Sequence, residues 1–419
     1  MHGRLVMLVT WMITGLPGCA PRAAAPPAGQ PVAPSERALV RPGLDVLVDD
    51  SVHLVRGRRV GLVTNQTGLD ARGVHGVERL RGAGIDLVAL FSPEHGFRGS
   101  AAPGESVSSG VDSATGIPIY SLYGGSVAPA DSMLRGLDVL LVDLQDVGAR
   151  YYTYISTAIK VMQAAAPLGI PVVVLDRPNP IGGAVQGTVL EPSHRTFVGM
   201  LTVAMRHGMT MGELALLARE ELDIGGVLHV VPVHGWNRDV PFDSTGLPFV
   251  PPSPNLRTVE ALFHYPGTTL FEGTNLSVGR GSDAPFEQVG APWLDTTAVL
   301  ARLRAAALPG VAFRGVRFTP RAPGDSKYAD TALTGIRLSV TDRASYDPTA
   351  AAVHLLHAII ATHADELKWI PSHFDRLAGT TDLREALARG DDPASIVSSW
   401  RPDLEAFLAR RRAFLIYPE

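Results

Sequence analysis

Five short runs of apolar, largely β-branched residues constrain this chain most: VGLVT (60–64), LVALF (87–91), IPIYSL (117–122), VLLVDL (139–144) and VVVL (172–175). Several are apolar at nearly every position, which suits strands covered on both faces rather than strands with one wet face. Helix-like stretches lie between them near 74–83, 129–136 and 154–167. This alternation predicts an α/β fold, a Rossmann-like doubly wound parallel sheet. A helix at 211–221 and a strand at 229–233 extend it.

Over 234–293 the pattern dissolves into Pro, Gly, Asn and aromatic residues. A helix at 296–307, strands at 311–320 and 335–341 and a helix at 348–363 then predict a second, smaller α+β domain. Helical stretches at 383–389, 396–400 and 402–414 close it. With 419 residues the chain exceeds one ordinary core. The expected division is a Rossmann-like catalytic domain over 43–285 and a C-terminal α+β domain over 286–419.

The single cysteine shapes the reading of the N-terminus. Arg4 precedes an apolar stretch that ends in Leu16-Pro17-Gly18-Cys19, which resembles the bacterial lipobox. Residues 1–19 are therefore expected to be a lipoprotein signal peptide, with lipidation at Cys19. Residues 20–42, rich in Ala and Pro, read as a tether. The expectation is an exported protein, lipid-anchored to the membrane that faces the cell wall or periplasm.

The formal net charge of −4 offers no basic excess for nucleic acid. Thirteen histidines form no HExxH and no tight cluster with cysteine, so no metal is expected. No GxGxxG or GxxxxGK[ST] follows a strand, and so no cofactor is expected. The lack of a GxSxG elbow disfavours a serine amidase or esterase.

Ligands of open α/β sheets bind beyond the carboxyl ends of the strands. Those ends here carry Asn65-Gln66, then Glu94-His95-Gly96-Phe97-Arg98, then Asp143, Asp146 and Arg150-Tyr151, then Asp176-Arg177 and Asn179. Carboxylates with amide, aromatic and Arg neighbours suit glycoside hydrolysis, where one carboxyl protonates the leaving oxygen. Glu94 follows an apolar strand and precedes Phe97, so an apolar wall is available to tune it. The alternative is a satisfied loop carboxylate.

SPEHGFRG, DLQDVGARYYTYIST, VLDRPNPIGG, HGMTMGELA, TGLPFVPPSPN, YPGTTLFEGTNLSVGRG and PFEQVGAPW occur in that order. Together they resemble the bacterial exo-β-N-acetylmuramidases of glycoside hydrolase family 171, over about 43–417. The resemblance implies a cleft between the two domains and release of N-acetylmuramic acid from non-reducing ends of peptidoglycan fragments. It makes Glu94 the general acid and lines the pocket with His95, Asn65, Gln66, Arg150 and Tyr151. Asp143 and Asp146 become candidates for the second carboxylate, against an ion pair or helix cap.

Asp176, Arg177 and Asn179 would shape the rim or form a structural turn. Glu272, Asn275 and Arg280 would reach the cleft from the second half. Muramic acid carries a lactyl carboxylate, which a guanidinium can clamp; Arg98, Arg150, Arg177 and Arg280 qualify. Gly96 and Gly99 would leave room for a sugar. The chain departs from the family at Leu201–Arg206, where an Ile-Pro turn is usual before HGMT. A non-catalytic cell-wall-binding lipoprotein with the same cleft is the rival reading.

Overall fold

The structure, a computed structural model, describes residues 2–3, 40–102 and 104–418. The expected signal peptide, Cys19 and most of the expected tether lie outside the described residues. From residue 40 the chain runs through α1 (Gly43–Asp50), β1 (Arg59–Thr64), α2 (Gly76–Gly82) and β2 (Asp86–Ser92). The short β3 (Gly110–Val111), β4 (Pro118–Ser121), α3 (Asp131–Leu134), β5 (Val139–Asp143), α4 (Tyr154–Ala165) and β6 (Val172–Leu175) follow. β7 (Gln186–Val189) and β8 (Ala204–Arg206) pair apart from the main sheet, and α5 (Met211–Glu221) leads back to β9 (Leu228–Val231).

The main sheet has the order β3-β4-β2-β1-β5-β6-β9, parallel except for β3. Sequence order reverses between β1 and β5, where Thr64 pairs with Asp143. Val60, Leu62, Val139 and Leu141 face one core with Leu44 and Leu47 of α1. Val63, Leu140 and Val142 face the other, which includes Ile155 and Ile159 of α4. Both faces are dry, which is why the strand runs are apolar throughout. Each fully buried Leu or Val adds roughly 1.5–3 kcal/mol over an exposed one.

The rest of the chain forms α6 (Val259–Thr268), β10 (Gln288–Ala291), α7 (Thr296–Ala306), β11 (Val311–Phe318), β12 (Leu333–Val340) and α8 (Pro348–Ile360). The end is helical, with α9 (Pro371–Ala378), α10 (Asp382–Arg389), α11 (Pro393–Ser399) and α12 (Arg401–Arg411). β10-β12-β11 make a three-stranded antiparallel sheet. Its Val289, Ile336 and Leu338 belong to the same apolar cluster as Leu140 of β5. One continuous core therefore joins the α/β and α+β parts.

Side-chain caps fix several helix starts. Thr210 and Glu213 form a reciprocal capping box on α5, while Asp295 and Asp347 accept backbone N–H groups at α7 and α8. Helix α6 forms where irregular chain was expected. Thr258 caps it, and Pro266 falls in its last turns. Helix α9 was also not expected from the sequence.

Candidate active site

β2 delivers its carboxylate through a tight left-handed turn. His95 has φ 71 and Gly96 φ 77, two consecutive residues in a region that only glycine visits freely. For His95 this conformation costs on the order of 1–3 kcal/mol. The turn is held because Gly96 N donates to Pro93 O at 3.0 Å and Ala101 N to His95 O at 3.2 Å. His95 Nδ1 donates to Ala101 O at 2.8 Å, so its proton sits there and Nε2 is left as an acceptor in the neutral ring. Burial pulls the imidazole below its ordinary pKa, although the neighbouring Glu94 charge pulls the other way.

Glu94 is anchored at both oxygens. Oε2 accepts from Thr153 Oγ1 at 2.7 Å and Oε1 from Gly104 N at 3.1 Å. Burial and the Glu94 carboxylate push the Tyr123 phenol above its ordinary range. These groups, with Tyr151 and Tyr152, form one wall of a cleft of about 320 Å³.

The C-terminal half contributes Glu272, Arg280, Asp325, His373 and Arg376 to the same lining. Arg280 Nε donates to Glu272 Oε1 at 2.7 Å, and its guanidinium lies 4.9 Å from the Phe286 ring centroid. Asp325 rides on a loop in which Ala322, Ser326, Tyr328 and Asp330 all have positive φ. Lys327 pins that loop, its Nζ donating to the carbonyls of Glu272, Thr274 and Leu276 at 3.1, 2.6 and 3.1 Å. Asp325 Oδ1 accepts from Lys327 N at 3.2 Å, and Oδ2 is buried with no donor among the described residues.

Helix α9 presents His373 and Arg376. Arg150 fixes its far end by donating to Leu377 O and Ala378 O at 2.8 and 2.7 Å, a cation at a helix C-terminus. The same guanidinium reaches Thr188 O and Val203 O at 2.6 and 3.0 Å. Gly379 ends the helix at φ 75, and a Cβ there would sit 2.7 Å from Arg150 Nη2.

Of the residues singled out from the sequence, the cleft brings together Glu94, His95, Tyr151, Glu272 and Arg280. It does not include the others. The chain's own segment 247–252 covers the switch point between β1 and β5. Gln66 Nε2 donates to Pro251 O at 3.0 Å, and the Tyr152 and Tyr154 hydroxyls to Pro252 O at 2.8 and 2.9 Å. Only about 20 Å³ remains open beside that segment. The open site is displaced along the sheet toward β2.

That displacement corrects several expectations. Asn65 bonds the Tyr154 hydroxyl at 2.7 Å and Thr67 N at 3.0 Å. Asp143 is ion-paired with Arg177 at 2.7 Å, and Cβ atoms on Gly68 and Gly76 would sit 3.1 and 3.3 Å from its Oδ2, so it is enclosed. Asp146 accepts from Gly148 N at 2.6 Å and lies 3.5 Å from His207 Nε2. Neither Asp lines the cleft. Arg150 and Arg177 are consumed by the contacts above, and Arg98 is exposed outside the lining.

Asp176 accepts from Tyr417 Oη at 2.6 Å, Thr210 Oγ1 at 2.7 Å and Gly212 N at 2.8 Å. Burial pushes its pKa up to about 6, against those bonds. Asn179 is held by Met209 O and Ile181 N, and Asn275 by Glu366 O and Lys368 N. Phe97 stacks edge-on against His75 at 5.4 Å and is not in the cleft lining. A Cβ on Gly99 would meet Gln66 Cδ at 2.0 Å and one on Gly96 would meet Val107 at 3.1 Å. These glycines admit protein rather than sugar.

Tyr123, Thr153, Asp325, His373 and Arg376 escaped the sequence reading. Thr153 sits in the DVGARYYT stretch already singled out. Pro371 at the first turn of α9 and Gly379 just past its end are a readable helix signal. Asp325 has none, because an irregular loop carries it.

The comparisons with known proteins cover this whole arrangement. Residues 60–260 match the family described as exo-beta-N-acetylmuramidase NamZ, N-terminal, and residues 263–417 match its C-terminal counterpart. The peptidoglycan beta-N-acetylmuramidase NamZ of Bacillus subtilis (strain 168) is 42% identical over 381 residues, 90% of this chain and 91% of that protein. Two crystal structures of DUF1343 family proteins from Bacteroides fragilis NCTC 9343 are similar. One has a TM-score of 0.84 at 32% identity, covering 91% of this chain and 100% of that one. The other has a TM-score of 0.73 at 31% identity, covering 91% and 99%.

Proposed function

The chain belongs to the exo-beta-N-acetylmuramidase NamZ family, and we propose that it releases N-acetylmuramic acid from non-reducing ends of peptidoglycan fragments with Glu94 as general acid. It is a glycoside hydrolase. The observation that carries the role of Glu94 is its position: a carboxylate on a strained turn, held at both oxygens, at the wall of the open polar cleft. The Thr153 hydroxyl suits either protonation state, since it donates to the carboxylate and can turn to accept from the acid.

In this reading Glu94 gives its proton to the glycosidic oxygen as the bond to the anomeric carbon breaks. Charge builds on an oxocarbenium-like centre flanked by the tyrosines of the cleft. Of the two carboxylates from the C-terminal half, Glu272 is engaged by Arg280, whereas Asp325 keeps one oxygen without a donor among the described residues. Asp325 is thus the carboxylate free to assist the second step.

Export and lipid anchoring through Cys19 complete the proposal, supported by the apolar leader and its Leu16-Pro17-Gly18-Cys19 end. Mass spectrometry of the mature N-terminus checks it, and an unmodified Cys19 would sink it. For the chemistry, the test is hydrolysis of a muramic-acid-terminated disaccharide by the wild type and Glu94→Gln. Free muramic acid from the wild type alone is expected. Equal turnover by both would remove Glu94 from the mechanism.

A further inference from the structure

Four arginines qualified by sequence as partners of the lactyl carboxylate, and the tertiary structure removes three of them. Arg150 is saturated by four carbonyls, Arg177 is locked to Asp143, and Arg98 lies outside the cleft. Arg280 lines the cleft but already neutralises Glu272. A fifth, Arg376, lines the same wall. Among the described residues it has no carboxylate partner within 4 Å.

From this we infer that Arg376, supported by His373 and by the spare N–H groups of Arg280, forms the subsite for the lactyl carboxylate of the terminal muramic acid. The inference rests on the hydrolase reading given above.

Three observations converge on it. First, donors stand without acceptors. Among the described residues Arg376 Nε and Arg280 Nη1 are buried with no hydrogen-bond partner, and a buried unpaired donor is costly unless a ligand or water meets it. Second, the orientation of Arg376 is fixed. Its Nη2 donates to His373 Nδ1 at 3.2 Å. Because arginine only donates, the neutral ring carries its proton on Nε2, a further donor. Burial and the adjacent Arg376 charge hold His373 below its ordinary pKa, so it is neutral near pH 7.

Third, Arg280 already neutralises Glu272, so the Arg376 guanidinium in the same lining is the one left to meet a monoanionic group. Glu94, just after β2, and Arg376, on α9, line the same cleft, and the lactyl ether hangs from C3 of the sugar, two carbons from the anomeric centre. The lactyl group separates muramic acid from N-acetylglucosamine, so this subsite would set the preference between them.

The test compares a chromogenic β-N-acetylmuraminide with its lactyl methyl ester and with the β-N-acetylglucosaminide, using the full chain. For wild type, the free acid is expected to be favoured in KM by roughly 10- to 100-fold, the range of a charge-assisted hydrogen bond. Arg376→Met should erase that preference, raising KM for the free acid toward the value for the ester. Arg376→Lys should restore part of it, since it returns the charge without the fork. An unchanged acid-to-ester ratio in Arg376→Met would overturn the assignment.

Calorimetric binding of free N-acetylmuramic acid and its methyl ester separates this claim from the hydrolase reading. Arg376-dependent preference for the acid without any turnover would sink the hydrolase and keep the subsite. Turnover with equal binding of acid and ester would do the reverse. Thermal melts of each variant exclude loss of fold as the cause.

Discussion

The turn after β2 and the turns after β5 and β6 bring similar residue types to one edge of the sheet, yet those groups meet different surroundings. Asp143, Asp146, Asp176 and Arg177 turn inward and find partners within the fold: each other, backbone amides, His207 and the Tyr417 hydroxyl. Glu94 is held by Thr153 and Gly104 N beside Tyr123 and lines the open cleft. Polar convergence at a sheet edge is therefore compatible with either a site or an interior network. What separates them is whether a neighbouring segment covers the edge, as 247–252 does between β1 and β5.

That contrast breaks if the two regions respond alike to substitution. Glu94→Gln should lower kcat/KM by about 10²- to 10⁴-fold and leave the melting temperature nearly unchanged; a large loss of stability with little loss of rate would reverse the comparison. Arg177→Met should do the opposite, costing about 3–5 kcal/mol in urea unfolding by stranding the buried Asp143. The double change Asp143→Leu with Arg177→Met should recover much of that loss, because both charges go together.

A finer probe is Thr153→Val, which removes one bond to Glu94. A fall of roughly 10-fold in kcat with unaltered stability is expected, and an unaffected kcat would detach Thr153 from the acid. A pH-dependent effect concerns Asp176. Its folded pKa of about 6 lies above the ordinary carboxyl value, so the folded state binds this proton more tightly than the unfolded chain. The resulting stability, up to about 3 kcal/mol, is full below pH ~4 and fades as pH rises through about 6. Urea midpoints measured from pH 4 to 7 should show that this component vanishes in Asp176→Asn. Parallel curves for wild type and variant would refute it.

Legibility differed by element for physical reasons. Strands β1, β2, β5 and β6 were readable because a sheet covered on both faces demands runs with no polar position. Helix α6 was not, because the YPGTT sequence at its end signals a break, while Pro266 costs little where the helix is already finishing. Glu94 was readable as the polar end of an apolar strand. Its apolar wall was misassigned to Phe97, which the left-handed turn sends toward His75 instead. Asp325 and Arg376 stayed hidden, since they reach the cleft from segments more than 200 residues away along the chain.

The sequence by itself determined the parallel sheet, the family and the carboxylate that ends β2, because hydrophobic period and local turn chemistry act within a few residues. Only the tertiary structure decided which charges are spent and which remain free. Arg150 and Arg177 look as available in the sequence as Arg376. Burial against distant carbonyls and Asp143 removes the first two, and α9 brings the third into the cleft lining with no carboxylate partner among the described residues.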